Sequence, residues 1–346
     1  MSRKLRVLVL FDLTHPVPAD YDFTEDLQTE GLVTERDVVQ ALRELGHQPR
    51  LFGLYDDLGR LVSTLQQDPP DLVFNLSEAF RTDRRHEPHI AGLLELMKVP
   101  YTGTDPAALS LCKQKVLAKK ILTYHHIKTP HFVLSPSRRP LKQIRNLRYP
   151  VFIKPSGTES SVGIAQAALA EDEKSALERV RFIHESVGSD ALVEEYVDGR
   201  ELYGGVLGND RVVVLPLVEL LVGDEPLGAE ETPAGAPRFF TYKAKWDEAY
   251  RKKWKIGSGP ARDLDPVVER RIRQSVRRAA KVLQVRGYGR VDLRLTDQGE
   301  VYIIEVNPNP GLAREDEFAL AALRAGVAYP ALIDRIVKLA EKAHSR

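Results

Sequence analysis

Cysteine is almost absent: Cys112 is the only one among 346 residues, which excludes disulfide scaffolds and cysteine-based zinc sites together and fits a reducing compartment. Charge of one sign is missing too. Fifty Lys and Arg against 49 Asp and Glu leave a formal charge of +1, so no overall field draws the chain toward nucleic acid or an anionic membrane. Any anionic ligand must be met locally. No apolar run approaches the roughly 18 residues of a membrane span. The run from Leu5 to Phe11 is broken by Arg6 and ends at Asp12 without a small-residue cleavage site, as a buried strand does and a signal peptide does not. A cytoplasmic protein with no nucleic-acid or membrane partner is expected. What is present, 43% hydrophobic and 29% charged residues with 23 Gly and 22 Pro, is an ordinary globular composition.

Over the first hundred residues, short apolar runs alternate with helical patterns, at 7–11, 35–45, 49–55, 58–67, 71–76 and 90–97. That alternation predicts a parallel sheet with crossover helices, an open Rossmann-like domain over residues 1–105. Val38, Val39, Leu42 and Leu45 share one helical face, and Gly46 stops the helix. A helix at 113–124, a strand at 149–154, a charged helix at 171–185 and strands at 191–197 and 201–207 follow. Asp198-Gly199 between the last two is a hairpin-type turn signal. A central α+β subdomain over 106–200 and a C-terminal one over 201–346 are expected, the latter with helices at 266–285 and 330–343. The Gly/Pro/Glu-rich stretch 223–237 and the aromatic, basic stretch 239–255 are long enough to suggest a mobile lid.

Three segments carry chemistry. Gly289-Arg290-Val291-Asp292 and Glu305-Val306-Asn307-Pro308 lie in alternating apolar runs around Asp297-Gln298-Gly299, a hairpin in which Glu305 and Asn307 share a face while Ile304 and Val306 enter the core. Pairing Thr296 with Val301 sets Asp292 opposite Glu305, so Asp292, Glu305 and Asn307 offer the oxygen ligands a hard cation such as Mg²⁺ requires. Taken alone, the same hairpin also fits a solvated acidic face. Lys154-Pro155-Ser156-Gly157-Thr158-Glu159-Ser160-Ser161-Val162-Gly163 is a strand end and a Gly/Ser loop whose N–H groups and hydroxyls, Ser160 and Ser161 among them, can cradle phosphates. It lacks the Gly-Lys-Ser/Thr ending of a Walker A loop and by itself also fits a surface turn. Glu194 and Glu201 flank Asp198-Gly199, where an acid can accept from ribose hydroxyls and an apolar strand can flank a base, though a bare hairpin tip reads the same way. His15, His86, His89, His125 and His126 could suggest a metal site, but adjacent His125 and His126 at a helix end point in different directions and helix C-termini favour histidine, so structural roles are assigned.

In order and spacing, these segments resemble the ATP-grasp superfamily, in its D-alanine–D-alanine ligase branch. Also matching are Val99-Pro100-Tyr101-Thr102-Gly103, Lys115 with Lys119, and Lys245 in Tyr242-Lys243-Ala244-Lys245-Trp246. The resemblance implies an α/β ATP-grasp fold, with the N-terminal Rossmann-like domain and the two α+β subdomains enclosing the nucleotide. It implies an ADP-forming carboxylate–amine ligase working through an acyl phosphate. Lys115 and Lys154 would bind the nucleotide, with Ser160 and Ser161 on its phosphates, Glu194 beside adenine and Glu201 on the ribose. Lys245 would reach the γ-phosphate from the lid. Asp292, Glu305 and Asn307 would hold two Mg²⁺ ions, for which Mn²⁺ can substitute, and Arg290 with the N–H of Gly311 would stabilise the oxyanion.

Departures from that branch concern amino-acid recognition. Its Glu-Val-Ser motif near the first helix is replaced by Thr34-Glu35-Arg36-Asp37-Val38, and its His-Gly segment by Asn75-Leu76-Ser77-Glu78. Trp246 stands where a lid tyrosine is expected. After Gly311, Leu312-Ala313-Arg314-Glu315-Asp316-Glu317 replaces small hydroxyl residues that grip an acceptor carboxylate. Three acids beside Arg314 disfavour a free carboxylate there, so a different amino-acid or peptide substrate is expected. A phosphotransferase, a non-catalytic nucleotide binder and a true D-alanine–D-alanine ligase are the competing readings, and a homodimer is compatible with all of them.

Overall fold

The computed structural model describes residues 4–157, 168–223, 225–226 and 252–345. The N-terminal sheet is parallel, with β1 (Arg6–Asp12) between β2 (Gln48–Leu54) and β3 (Leu72–Asn75). Central position explains the unbroken apolar run of β1, because both its faces are covered. Val7 and Val9 pack with Val38 and Leu42 of α1 (Val33–Glu44), whereas Leu8 and Leu10 pack with Leu61 of α2 (Leu58–Gln67) and Leu94 of α3 (Glu87–Leu96). Burial of each such side chain contributes about 1.5–3 kcal/mol. Gly46 ends α1 with φ +81, a conformation open to glycine.

The helix expected at 113–124 is present from Lys115, and a further helix that the sequence reading did not anticipate precedes it. Asp105 caps α4 (Pro106–Lys113) by accepting from the Ala108 N–H, with proline at the first helical position, and Gln114, at ψ 77, separates it from α5 (Lys115–Tyr124). Lys115 thereby becomes the first residue of its own helix. A four-stranded antiparallel sheet follows, in the order β4 (Phe132–Ser135), β7 (Ala191–Glu195), β5 (Val151–Pro155) and β6 (Leu169–Ala170). Val151, Ile153 and Val193 pack one face onto Ala176 and Val180 of α6 (Glu173–Phe182).

The C-terminal sheet runs β11 (Glu225–Pro226), β10 (Val218–Val222), β8 (Arg200–Leu207), β13 (Tyr288–Leu295), β14 (Val301–Pro308), with β9 (Val213–Val214) on β8 and β12 (Ile256–Pro260) on β10. Its apolar face, including Leu202, Val206, Val291, Leu293, Ile303 and Val306, packs on Ile272, Val276 and Ala279 of α7 (Pro266–Val282). Two short crossings close the molecule: α8 (Glu317–Arg324), and α9 (Tyr329–His344), whose Leu332, Ile333 and Ile336 share a core with Val38 and Leu42 of α1.

Two sequence expectations change here. Asp198-Gly199 makes no hairpin, because β7 pairs with β4 and β5 while β8 belongs to the next sheet. Glycine is required there for close approach: at φ +127, a Cβ would lie 2.2 Å from the carbonyl oxygen of Leu295. In the β13–β14 hairpin the turn-end pair is Leu295 with Val301, not Thr296 with Val301, and a bulge follows between Asp292 and Leu293. The extra residue, Ile304, is half-buried rather than in the core, and the alternation passes from Ile303 to Val306. The bulge cancels the register shift, so Asp292 does stand opposite Glu305.

Candidate active site

Alternation along β13 sends Val291, Leu293 and Leu295 to the core and leaves Arg290, Asp292 and Arg294 on the other face. Register brings Glu201 and Tyr203 of β8 and Glu305 and Asn307 of β14 beside them. Arg290 grips Asp292 with two bonds, Nε to Oδ1 at 2.7 Å and Nη2 to Oδ2 at 3.0 Å, and Asn307 donates from Nδ2 to Asp292 Oδ2 at 2.9 Å. Burial, opposed by Arg290 and reinforced by Glu305 and Glu201, pushes the Asp292 carboxyl up to about 6. Two facing carboxylates, with the Asn307 oxygen left over, are chemically suited to a hard divalent cation, and these three residues would hold Mg²⁺.

The central sheet supplies the opposite wall. Lys154 of β5 and Glu194 of β7 lie on the face that α6 does not cover, and Phe132 and Phe152 flank Glu194 in register. Glu194 is buried between two ammonium groups, Lys154 Nζ at 2.6 Å and Lys119 Nζ at 2.9 Å. Burial alone would raise its carboxyl; Lys119 and Lys154 outweigh that and hold it below the usual range. Burial lowers Lys119, with Glu194 opposing.

Helix α5 joins the two walls. Lys115 Nζ donates to Glu305 Oε1 at 2.8 Å, and Lys119, one turn later, reaches Glu194 and also donates to Thr129 Oγ1 at 2.8 Å. Glu201 accepts from Arg294 Nη2 at 2.6 Å and from the Tyr203 hydroxyl at 3.0 Å. Gly311 is exposed beside a cleft of about 550 Å³ at the carboxyl end of the N-terminal sheet. Thus Lys115, Lys154, Glu194, Glu201, Arg290, Asp292, Glu305 and Asn307 line two facing walls, and Gly311 borders the adjoining cleft. Ser160, Ser161, Lys245 and most of the expected lid lie outside the described residues.

Sequence reading left out Lys119, Arg294 and Glu317 as site residues. Arg294 was legible from alternation, two positions after Asp292. Glu317 was not, since only the tertiary fold sets it 3.0 Å from Arg290 Nη1 and 3.2 Å from Ser258 Oγ. The stretch after Gly311 is also placed differently from expectation. The Arg314 N–H donates to Asp37 Oδ2 at 2.9 Å and its guanidinium lies 4.4 Å above the Tyr329 ring, while Asp316 accepts from the Ala313 N–H at 2.8 Å. Buried Asp37 and Tyr329 draw Arg314 toward α1 and α9, and it does not line the cleft.

The family model described as D-ala D-ala ligase C-terminus matches residues 115–338. The chain belongs to the D-alanine–D-alanine ligase C-terminal family. The D-alanine–D-alanine ligase of Pelotomaculum thermopropionicum is 31% identical over 268 residues, covering 72% of this chain and 75% of that protein. An uncharacterized protein, y4sG, of Sinorhizobium fredii is 33% identical over 318 residues, covering 89% of this chain and 87% of its own length. Among solved structures, the D-alanine–D-alanine ligase from Bacillus anthracis complexed with ATP superposes with a TM-score of 0.73 at 19% identity, covering 99% of both chains. This member of the ligase family therefore has the α/β ATP-grasp fold, as its motifs imply, and no helix among the described residues is long and apolar enough to cross a membrane.

Proposed function

We propose that the chain is an ATP- and Mg²⁺-dependent carboxylate–amine ligase, forming an amide through an acyl phosphate and releasing ADP and phosphate. The observation that carries this reading is the pair of lysines one turn apart on α5, Lys115 on Glu305 of the metal-ligand wall and Lys119 on Glu194 of the base-binding wall. Nucleotide entering between the walls exchanges these internal ion pairs for phosphate contacts from Lys115 and Lys154. Glu194 then faces the adenine amino group between Phe132 and Phe152, and Glu201, already oriented by Arg294 and Tyr203, accepts from the ribose hydroxyls. Mg²⁺, when bound by Asp292, Glu305 and Asn307, supplies charge neutralisation on the transferring phosphoryl group.

A substrate carboxylate oxygen attacks the γ-phosphorus and ADP leaves; the amine then attacks the acyl carbon and phosphate leaves. Arg290, held by Asp292 and Glu317, would donate to the oxyanion of that second step together with the N–H of Gly311. The relatives named D-alanine–D-alanine ligase support the reaction class, whereas the altered Asn75–Glu78 and Leu312–Glu317 segments favour a different amino-acid or peptide substrate. Phosphate release should require both a carboxylate and an amine. Glu305→Gln should keep the fold by circular dichroism and lower turnover by orders of magnitude; near-normal turnover would remove Glu305 from the reaction.

A further inference from the structure

The cleft of about 550 Å³ opens at the carboxyl ends of β1 and β3, where Asp12 and Asn75 end their strands, and faces the Asn309-Pro310-Gly311 loop. Because β2 and β3 lie on opposite sides of β1, this is the switch point at which open parallel sheets bind ligands. Five acids line it: Asp12, Asp26, Glu35, Glu78 and Glu87. Among the described residues no Lys or Arg does, and His15 is the single basic residue. Arg84 pairs with Glu78 and Lys113 with Glu87, from outside the lining. Asp12, Asp26 and Glu35 have no ion pair among the described residues. Burial, with Asp12 and Glu78 adding to it, raises Glu35 to about 7; apart from the paired Glu78 and Glu87, the lining acids Asp12, Asp26 and Glu35 face His15 alone among basic lining residues.

Two orphaned polar atoms mark the cleft independently of its charge. Asn75 is only 2% exposed; its Oδ1 accepts from the N–H and hydroxyl of Ser77, while its Nδ2 has no hydrogen-bond partner among the described residues. Asp26 Oδ2 is likewise buried and has no hydrogen-bond partner among the described residues, although the Tyr21 hydroxyl interacts with the same carboxylate. A buried donor left unmade costs about 1–3 kcal/mol, and polar atoms left so at a cavity wall are matched by a ligand. A molecule with an acceptor oxygen at one end and charged N–H donors at the other would match both.

We propose that this cleft binds a substrate carrying a cationic side chain, an ammonium or guanidinium held by Asp12, Asp26 and Glu35, with a carbonyl or carboxylate oxygen accepting from Asn75. The class is that of basic, diamino-type amino acids rather than small neutral ones. This rests on the ligase reading only for the later fate of the molecule, since binding in the cleft needs no turnover.

Isothermal titration of the full chain, with Mg²⁺ and a non-hydrolysable ATP analogue present, compares lysine, ornithine and arginine in both enantiomers with norleucine and alanine. At least one basic amino acid should bind about tenfold or more tightly than norleucine. Asp26→Asn and Glu35→Gln should each erase most of that difference without weakening norleucine. Two substitutions are used so that a folding failure in one leaves the other decisive. Equal affinity for norleucine, no saturation by any basic amino acid, or unchanged selectivity in both folded variants would overturn the proposal. ADP release with each amino acid plus an amine separates the two claims: binding without turnover in any combination removes the ligase reading and keeps the cleft assignment, and turnover confined to neutral amino acids does the reverse.

Discussion

Glu194, proposed to face the adenine amino group, is also a residue on which stability depends. Its buried carboxylate is balanced by Lys119 and Lys154, so truncation strands two buried ammonium groups. Glu194→Ala should therefore destabilise by about 3–5 kcal/mol, measured as a lowered urea midpoint. Since its folded carboxyl is held below the usual range, its contribution is present above the ordinary carboxylate value and lost as pH falls through the lowered one. Glu35 has the opposite sign. Its carboxyl rises from 4.5 to about 7, so the folded state is penalised increasingly as pH climbs through that window. Glu35→Gln should raise the urea midpoint at pH 8 and leave it unchanged at pH 4; an equal midpoint at pH 8 would show that burial does not penalise the Glu35 carboxylate.

Elements were legible wherever one periodicity ruled them. The buried run of β1, the face of α1 and the stop at Gly46 follow from local pattern alone, and the structure reproduces them. The facing of Asp292 and Glu305 was legible too, but through two departures that cancel: a turn one residue longer and a bulge at Ile304. A bulge leaves no mark in an alternating apolar run, which is why Ile304 was assigned to the core. Asp198-Gly199 misled for a related reason. Its glycine answers to the carbonyl of Leu295, a contact distant in sequence, rather than to a local turn. Gly199→Ala should destabilise by more than about 1 kcal/mol, since it adds both a close contact and an unfavourable φ. An unchanged thermal midpoint would mean that β8 enters its sheet along another path.

At the scale of the molecule, α5 spans two walls that come from different sheets, and α9 returns to close against α1, bringing the Gly311 loop over the N-terminal cleft. The residues proposed to hold nucleotide and metal were readable in the sequence because most of them lie in short motifs on strands β5, β7, β8, β13 and β14 and at the start of α5. The acid-lined cleft was not, because Asp12, Asp26, Glu35 and Asn75 come from separate segments that only the fold assembles. The central claim, carboxylate activation by phosphoryl transfer, is tested most directly by isotope transfer. With the substrate carboxylate labelled in both oxygens with ¹⁸O, and ATP, Mg²⁺ and amine present, each amide formed should release one phosphate carrying one ¹⁸O atom. Unlabelled phosphate accompanying ADP release would contradict the acyl-phosphate account.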